Sequence, residues 1–376
     1  MNSEDILGQL VGFDTTSHLP NLDLVVWVED YLTNLGIASQ RVENEDGTKS
    51  NVFATIGPPV SGGVVLSGHT DVVPVADQAW DTDPFDMQYK DSRLYGRGTC
   101  DMKGFVACAL AAVPKMQALN KPIHLAFSYD EEVGCRGVAP MLQEMVKTLP
   151  PIEAIIVGEP TMMQLVTGHK GIMAATTTVT GTPAHSSQTQ LGASAIHAAS
   201  ALIQCLLDTA EKFKDSRHCD DRFTPAHTTV TVNQISGGTA VNILAEHCAF
   251  TWDTRAIDPS HVNTVIEAVE IKAAALCASN PALQSIETEI IAEAPGLIPR
   301  TDNQAEKLVQ RLSGANSAGA VSFATEAGHF QTAGYDTVVF GPGDIAQAHQ
   351  PNEFISSDQL KQCDAFLDKL ISHLSQ

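Results

Sequence analysis

Basic residues are scarce in this chain. Only 22 Lys and Arg stand against 44 Asp and Glu in 376 residues, a formal net charge of −22 with a pI near 4.8. Such a surface repels phosphate backbones and anionic bilayers, which argues against nucleic acid and membrane surfaces as partners. Long apolar runs are missing too: none reaches the roughly 18 residues that a spanning helix needs. Cysteine is present but unorganised. The 8 Cys, at 100, 108, 135, 205, 219, 248, 277 and 363, contain no CxxC pair, which excludes a structural zinc knuckle and a disulfide framework and leaves reduced thiols. There is no internal repeat and no low-complexity tract. The opening Met1-Asn2-Ser3-Glu4-Asp5 lacks the cationic start of a secretory leader, so the expected location is cytoplasmic. What remains, 43% hydrophobic and 18% charged, is enough to pack a core and long enough for two domains.

Short apolar strands alternate with amphipathic helices. Helical spacing covers 3–11 and 22–35, with Gly36 closing the second helix. Strands are expected at 51–56, 64–66, 123–129, 154–157 and 337–340. A helix is expected at 105–119, with Pro114 kinking or interrupting it. This alternation predicts an α/β layer with a mostly parallel sheet. Between about 171 and 284 the texture changes: strand 174–180, helix 191–210, strands 228–235 and 246–255, helix 261–278, then strand 285–291. That order is the ferredoxin-like βαββαβ split motif. It predicts an inserted domain over 172–284, flanked by a first domain made of 1–171 and 285–376, with hinges near 168–171 and 280–284.

Ionisable residues recur just beyond the C-terminal ends of the apolar strands: His69 and Asp71, Glu131 and Glu132, Glu159. In open α/β sheets that edge is where ligands bind. Asp101 follows Gly96-Arg97-Gly98, and His349 follows the strand near the C-terminus. Together these residues offer two sets of metal ligands: His69, Asp101 and Glu159 for one ion, and Asp101, Glu132 and His349 for the other, bridged by the two oxygens of Asp101. Nitrogen and oxygen ligands without thiolate suit two divalent ions, zinc first, with cobalt or manganese as substitutes. Asp71, two residues from His69, is placed to accept a hydrogen bond from the second ring nitrogen of that histidine and fix the ring. Glu131 and Glu132 diverge, so one can ligate while the other faces substrate. Taken singly, each motif has a bland alternative in a turn or a solvated surface; their shared placement at strand ends argues for a site.

The segments SGHTDVVP, LYGRGTCDMKG, YDEEVGCRG, VGEPT, HKG, AHSS, AVNILAEHC, WDTR, FATEAGHFQTAG, VVFGPG and AHQPNEF run nearly end to end. In this order they resemble the di-zinc metallopeptidase family that holds acetylornithine deacetylase, succinyl-diaminopimelate desuccinylase, aminoacylases and several dipeptidases. The resemblance implies a catalytic domain interrupted by a lid domain that forms a homodimer. It places the ligands on His69, Asp101, Glu132, Glu159 and His349, the general base on Glu131, and the orienting carboxylate on Asp71. It also implies a cis peptide between Asp101 and Met102.

The implied reaction is hydrolysis of the amide of a small N-acyl amino acid, with N-acetyl-L-ornithine first; the alternatives are a desuccinylase, an acetylcitrulline deacetylase, a dipeptidase, or a non-catalytic binding relative. His185 is the candidate oxyanion donor, reaching across a dimer by the resemblance; the alternative is that it caps the following helix. Arg255 suits a bidentate grip on a substrate carboxylate, against a plain ion pair with Asp253 or Asp258. Asn242 is a second substrate contact, although the turn lacks the proline common in relatives. Glu326 is expected to meet the cationic end of the substrate, against a structural pair with a nearby base. His169 and Lys170 either touch substrate or hold the hinge. Cys100, Cys108 and Cys135 are expected to be packing residues.

Overall fold

The computed structural model describes residues 1–376 and divides them into two compact units. The first comprises Met1–Gly168, Pro299–Gly319 and Thr325–Gln376. Its centre is the strand Gly63–His69, buried at every position. An unbroken apolar run is the signature of a strand covered on both faces, and this one lies in mid-sheet with a parallel partner on each side, Ile123–Ser128 and Ile152–Pro160. The eight-stranded order is Ser39–Glu43, Ser50–Ile56, Ile123–Ser128, Gly63–His69, Ile152–Pro160, Thr337–Gly341, Val166–His169, Gly319–Val321. Pairing is parallel through the four central strands and antiparallel over 39–56 and between 50–56 and 123–128. The chain is thus α/β with a mostly parallel central sheet.

Helix Lys103–Ala112 carries apolar residues around nearly its whole circumference, which dictates burial on all sides. It packs between Ser3–Val11 and Ser357–Leu374 over the sheet. The expected helix to 119 stops at Ala112 and passes into a tight turn at Val113–Lys115. Pro114 has no N–H for the ladder and its ring collides with the preceding turn.

The second unit, His169–Ile298 with Ala320–Ala324, has strands Gly171–Thr180, Thr229–Gly237, His247–Ala256 and Ser285–Ala294 and helices Ala195–Lys212 and Pro259–Ser279. In chain order its strands lie 2-3-1-4, all antiparallel, with both helices packed on the sheet around Trp252, Phe250 and Leu202. The expected boundary at 284 needs correction. Residues 285–294 pair with 171–180 along nearly their full length, so this strand belongs to the second sheet, and the long segment of that unit runs on to Ile298. No helix in either unit is long and apolar enough to cross a membrane.

Candidate metal centre

The parallel strands of the first unit end in a row. His69 closes its strand, Glu159 stands at the end of Ile152–Pro160, and Glu131 and Glu132 follow Ile123–Ser128 by a few residues. Small residues let the chain come this close. A Cβ on Gly158 would stand 2.0 Å from the Phe105 ring, so only glycine lets the Glu159 strand pass over that helix. A Cβ on Gly137 would meet the Tyr129 carbonyl at 2.1 Å, and the Gly137 peptide N–H donates to that same oxygen at 3.1 Å, closing the turn that carries Glu131 and Glu132. The peptide between Asp101 and Met102 is cis.

All five expected ligands converge. His69 Nε2 lies 3.0 Å from Asp101 Oδ1 and 3.7 Å from Glu159 Oε1. His349 Nε2 lies 2.9 Å from Glu132 Oε2 and 3.5 Å from Asp101 Oδ2. Asp101 therefore offers one oxygen to each histidine. Glu131 joins the same cluster: donor atoms of His69, Glu131 and Glu159 lie within 4.8 Å of one another, as do those of His69, Asp101 and Glu132. His69, Asp101 and Glu159 are buried, while the His349 side chain is 52% exposed and closes the cluster from the solvent side.

The electrostatics are those of a cation site. Burial pushes the carboxyls of Glu131 and Glu159 well above the usual range, and neighbouring carboxylates add to it. Burial, then Asp101, lift Glu132 to about 7. Asp101 is also buried, yet its hydrogen bonds to His349 and His69 hold it below the usual range. His349 is raised to about 10 by its bonds to Asp101 and Glu132. Burial alone would lower His69, but Asp101 and Asp71 overcome it and hold the ring well above its ordinary value. Glu159 Oε1 is buried with no hydrogen-bond partner, a costly arrangement for a carboxylate oxygen that no donor or cation satisfies. Four glutamate and aspartate ligand candidates and two imidazoles, with no thiolate among them, fit a pair of divalent ions.

Asp71 and Glu326 have partners that the sequence did not announce. The atom of Asp71 that holds His69 is its main-chain carbonyl, 2.9 Å from Nδ1; the carboxylate stands 3.6 Å away. That carboxylate instead accepts from the peptide N–H groups of Glu131 at 3.1 Å and Glu132 at 3.3 Å and from Ser17 Oγ at 2.7 Å. Asp71 thus orients the two glutamates, and orients His69 through its backbone. Glu326 is buried beside the centre and bonded to two serines. It is 1% exposed, and its carboxylate accepts from the Ser128 and Ser67 hydroxyls beneath the centre, with burial raising it to about 7. It pairs with no Lys or Arg.

Cys135 does more than pack: its thiol donates to Glu131 Oε1 at 3.3 Å, in the same turn. Burial raises the thiols of Cys100, Cys108 and Cys135 well above the ordinary value, as packing residues require.

In the second unit, His185 and Asn242 are brought side by side. Ser186 N donates to Asn242 O at 2.9 Å, and Leu244 N to Ala184 O at 2.8 Å. His185 is exposed and caps no helix; the next long helix begins at Ala195 behind Ser194. Its Nδ1 accepts from the Ser187 peptide N–H at 3.2 Å, so the ring proton of the neutral form sits on Nε2. Arg255 Nε donates to Asp253 Oδ2 at 3.0 Å, the ordinary ion pair of a strand end. Lys170 is buried, and its ammonium donates to the Pro225 and His227 carbonyls at 2.7 Å each, which makes it an anchor for that loop.

Comparison with known proteins yields three results. The model of the peptidase family M20/M25/M40 matches residues 65–373. An acetylornithine deacetylase of Myxococcus xanthus is 35% identical over 375 residues, covering 98% of this chain and 96% of that protein. Among solved structures, an M20 family metallo-carboxypeptidase of Sulfolobus solfataricus superposes with a TM-score of 0.77 at 16% identity, covering 100% of this chain and 99% of that one. A dinuclear metal-binding M20 peptidase of Bacillus subtilis gives 0.69 at 14%, covering 99% and 97%.

Proposed function

This chain belongs to peptidase family M20/M25/M40, and from that premise we propose that it is a di-metal amidohydrolase that removes the acetyl group from N-acetyl-L-ornithine, giving acetate and L-ornithine as a step of arginine biosynthesis. The observation that carries the reading is the convergence of His69, Asp101, Glu132 and Glu159, sunk in the fold, with His349 on the solvent side and Glu131 beside them. The end-to-end identity to a deacetylase supports the substrate.

Those five side chains would hold two divalent ions, zinc first and cobalt as a substitute. Bound there, the ions would supply an acidified water and polarise the amide carbonyl. Glu131, held by the Cys135 thiol and by the Asp71 carboxylate at its peptide, would accept a proton from the attacking water and deliver it to the leaving amine. His185 presents Nε2–H to the oxyanion. The resemblance has that histidine supplied by a second copy in a homodimer. Arg255 grips the substrate carboxylate, with Asn242 as a further contact. The setting is cytoplasmic in this reading. A second reading, cleavage of a dipeptide, draws its support from the dipeptidases among the structural neighbours.

The deciding experiment is acetate release from N-acetyl-L-ornithine by zinc-loaded protein. N-succinyl-diaminopimelate, N-acetyl-L-citrulline and a dipeptide run beside it, and Glu131→Ala serves as the blank. Preference for acetylornithine, abolished in the blank, supports the reading. Preference for another substrate discards the substrate and keeps the site. No turnover of any of them, with two ions bound, makes the chain a binding relative.

A further inference from the structure

One fully buried ion pair has no place in the chemistry above, although it touches the loops that carry two of the ligands. Glu353 is 1% exposed, and so is Arg97. The Glu353 carboxylate accepts from Arg97 Nη1 at 2.7 Å, Gly98 N at 2.9 Å, Cys100 N at 2.8 Å and Asp101 N at 3.1 Å. All four donors come from the stretch that ends in Asp101, so the peptide of that residue is aimed by Glu353. Four accepted bonds fill the carboxylate, which leaves it no part as a ligand.

The other end of the pair reaches the His349 turn. Arg97 Nη1 lies 3.4 Å from the Gln350 carbonyl, and Arg97 Nη2 donates to Gln78 Oε1. Gln78 in turn donates through Nε2 to the His349 carbonyl at 3.0 Å. The turn needs such support. His349 has φ +62° and Asn352 φ +58°, the left-handed region that non-glycine residues occupy only when their surroundings dictate it. Asp81 N donating to Asn352 Oδ1 at 2.9 Å ties the same turn down on its far side.

We infer that Glu353 and Gln78 are positioning residues which, joined through Arg97, set the spacing between Asp101 and His349 and hence the affinity for the ion those two would share. This rests on the reading of the cluster as a metal centre. A buried ion pair by itself adds little stability; here its bonds run to the peptide groups that orient ligands.

The test is titration of Zn²⁺ into metal-free full-length protein by calorimetry, with the visible spectrum of the Co²⁺-loaded protein as a second readout. Glu353→Gln keeps the shape but turns one acceptor into a donor facing N–H groups. Gln78→Ala leaves the Glu353–Arg97 pair intact and removes the link to His349, together with the bonds that Gln78 Oε1 accepts from Arg97 and Trp80. The wild type is expected to bind two ions. Glu353→Gln is expected to weaken one of them about 10–100-fold, the usual effect of losing an outer partner of a ligand, and to shift the Co²⁺ bands. Gln78→Ala is expected to do the same to a smaller degree at unchanged melting temperature, and it decides the matter if Glu353→Gln does not fold. Two ions bound in the wild type, with unchanged isotherms and spectra in Gln78→Ala, would overturn the inference and keep the metal centre. No ion bound by the wild type would overturn the metal reading and the inference together.

Discussion

His69 and Glu159 are 1% and 4% exposed, and every ligand candidate around them is wedged against another ionisable group. In the second unit, His185 and Asn242 stand on an exposed turn, and Arg255 ends a strand with its side chain 41% exposed. Both groups were read from short polar motifs, but they obey different physics. A buried cluster of like charges is held by the whole sheet and has no freedom to adjust, and removing one member leaves others uncompensated. An exposed residue held by one or two bonds can be exchanged with little effect on the fold, so its loss registers in the reaction alone.

Four substitutions would break or sharpen this contrast. Glu131→Gln carries the largest effect: a loss of about 10²–10⁴-fold in kcat, the usual contribution of a general base, with both ions still bound by calorimetry. A variant that loses metal together with activity would make Glu131 a ligand, as its place among the donors of His69 and Glu159 allows. His185→Ala should lower kcat by about 10²–10³-fold with KM nearly unchanged, the effect of one missing oxyanion donor. Its melting temperature should match the wild type, because its side chain is bonded only within its own turn. Arg255→Met should act on KM, lowering kcat/KM by about 10–100-fold if the guanidinium holds a carboxylate. A kcat effect without a KM effect would return Arg255 to its pair with Asp253.

The smallest effect is one of stability in the first unit, away from the centre. His124 is buried, and burial lowers its pKa from 6.5 to about 4. A depressed histidine stays neutral in the folded state while the unfolded chain takes up a proton. Its stabilising contribution is therefore complete above pH 6.5 and is lost as pH falls towards 4. At about pH 5 the loss is about 2 kcal/mol. Urea unfolding of His124→Asn should be less acid-sensitive than wild type by that amount; equal sensitivity would mean that the ring is protonated in the fold.

Legibility followed the geometry of strands. Apolar runs of three to seven residues announced the sheet, and the residues just past each run announced its exposed edge. His69, the Glu131–Glu132 pair and Glu159 could thus be collected without any contact map. Asp101 and His349 lie on loops, and only the resemblance and their residue types picked them out. The partners of Glu326 were not legible, because a carboxylate in a Thr-Glu-Ala-Gly turn gives no clue to which way it points; Ser67 and Ser128, on two neighbouring strands, supply its donors. Asp71 was half right for the same reason, since its backbone oxygen and its carboxylate serve different partners. Glu353 went unassigned four residues beyond His349, because nothing in its neighbours foretells four donors arriving from residues 97–101. The strand at 285–294 was counted in the βαββαβ order and yet fell outside the expected boundary at 284, because local alternation does not encode which strand pairs with which.

Local order, the α/β class and the residue types of the centre were thus set by the sequence alone, since period, capping and strand ends depend on near neighbours in the chain. Which oxygen faces which nitrogen, which carboxylate is filled by peptide groups and which is left bare, and where one unit ends were decided only in three dimensions. Those outcomes depend on donors that stand tens to hundreds of residues away and meet only when the sheet brings its strand ends together.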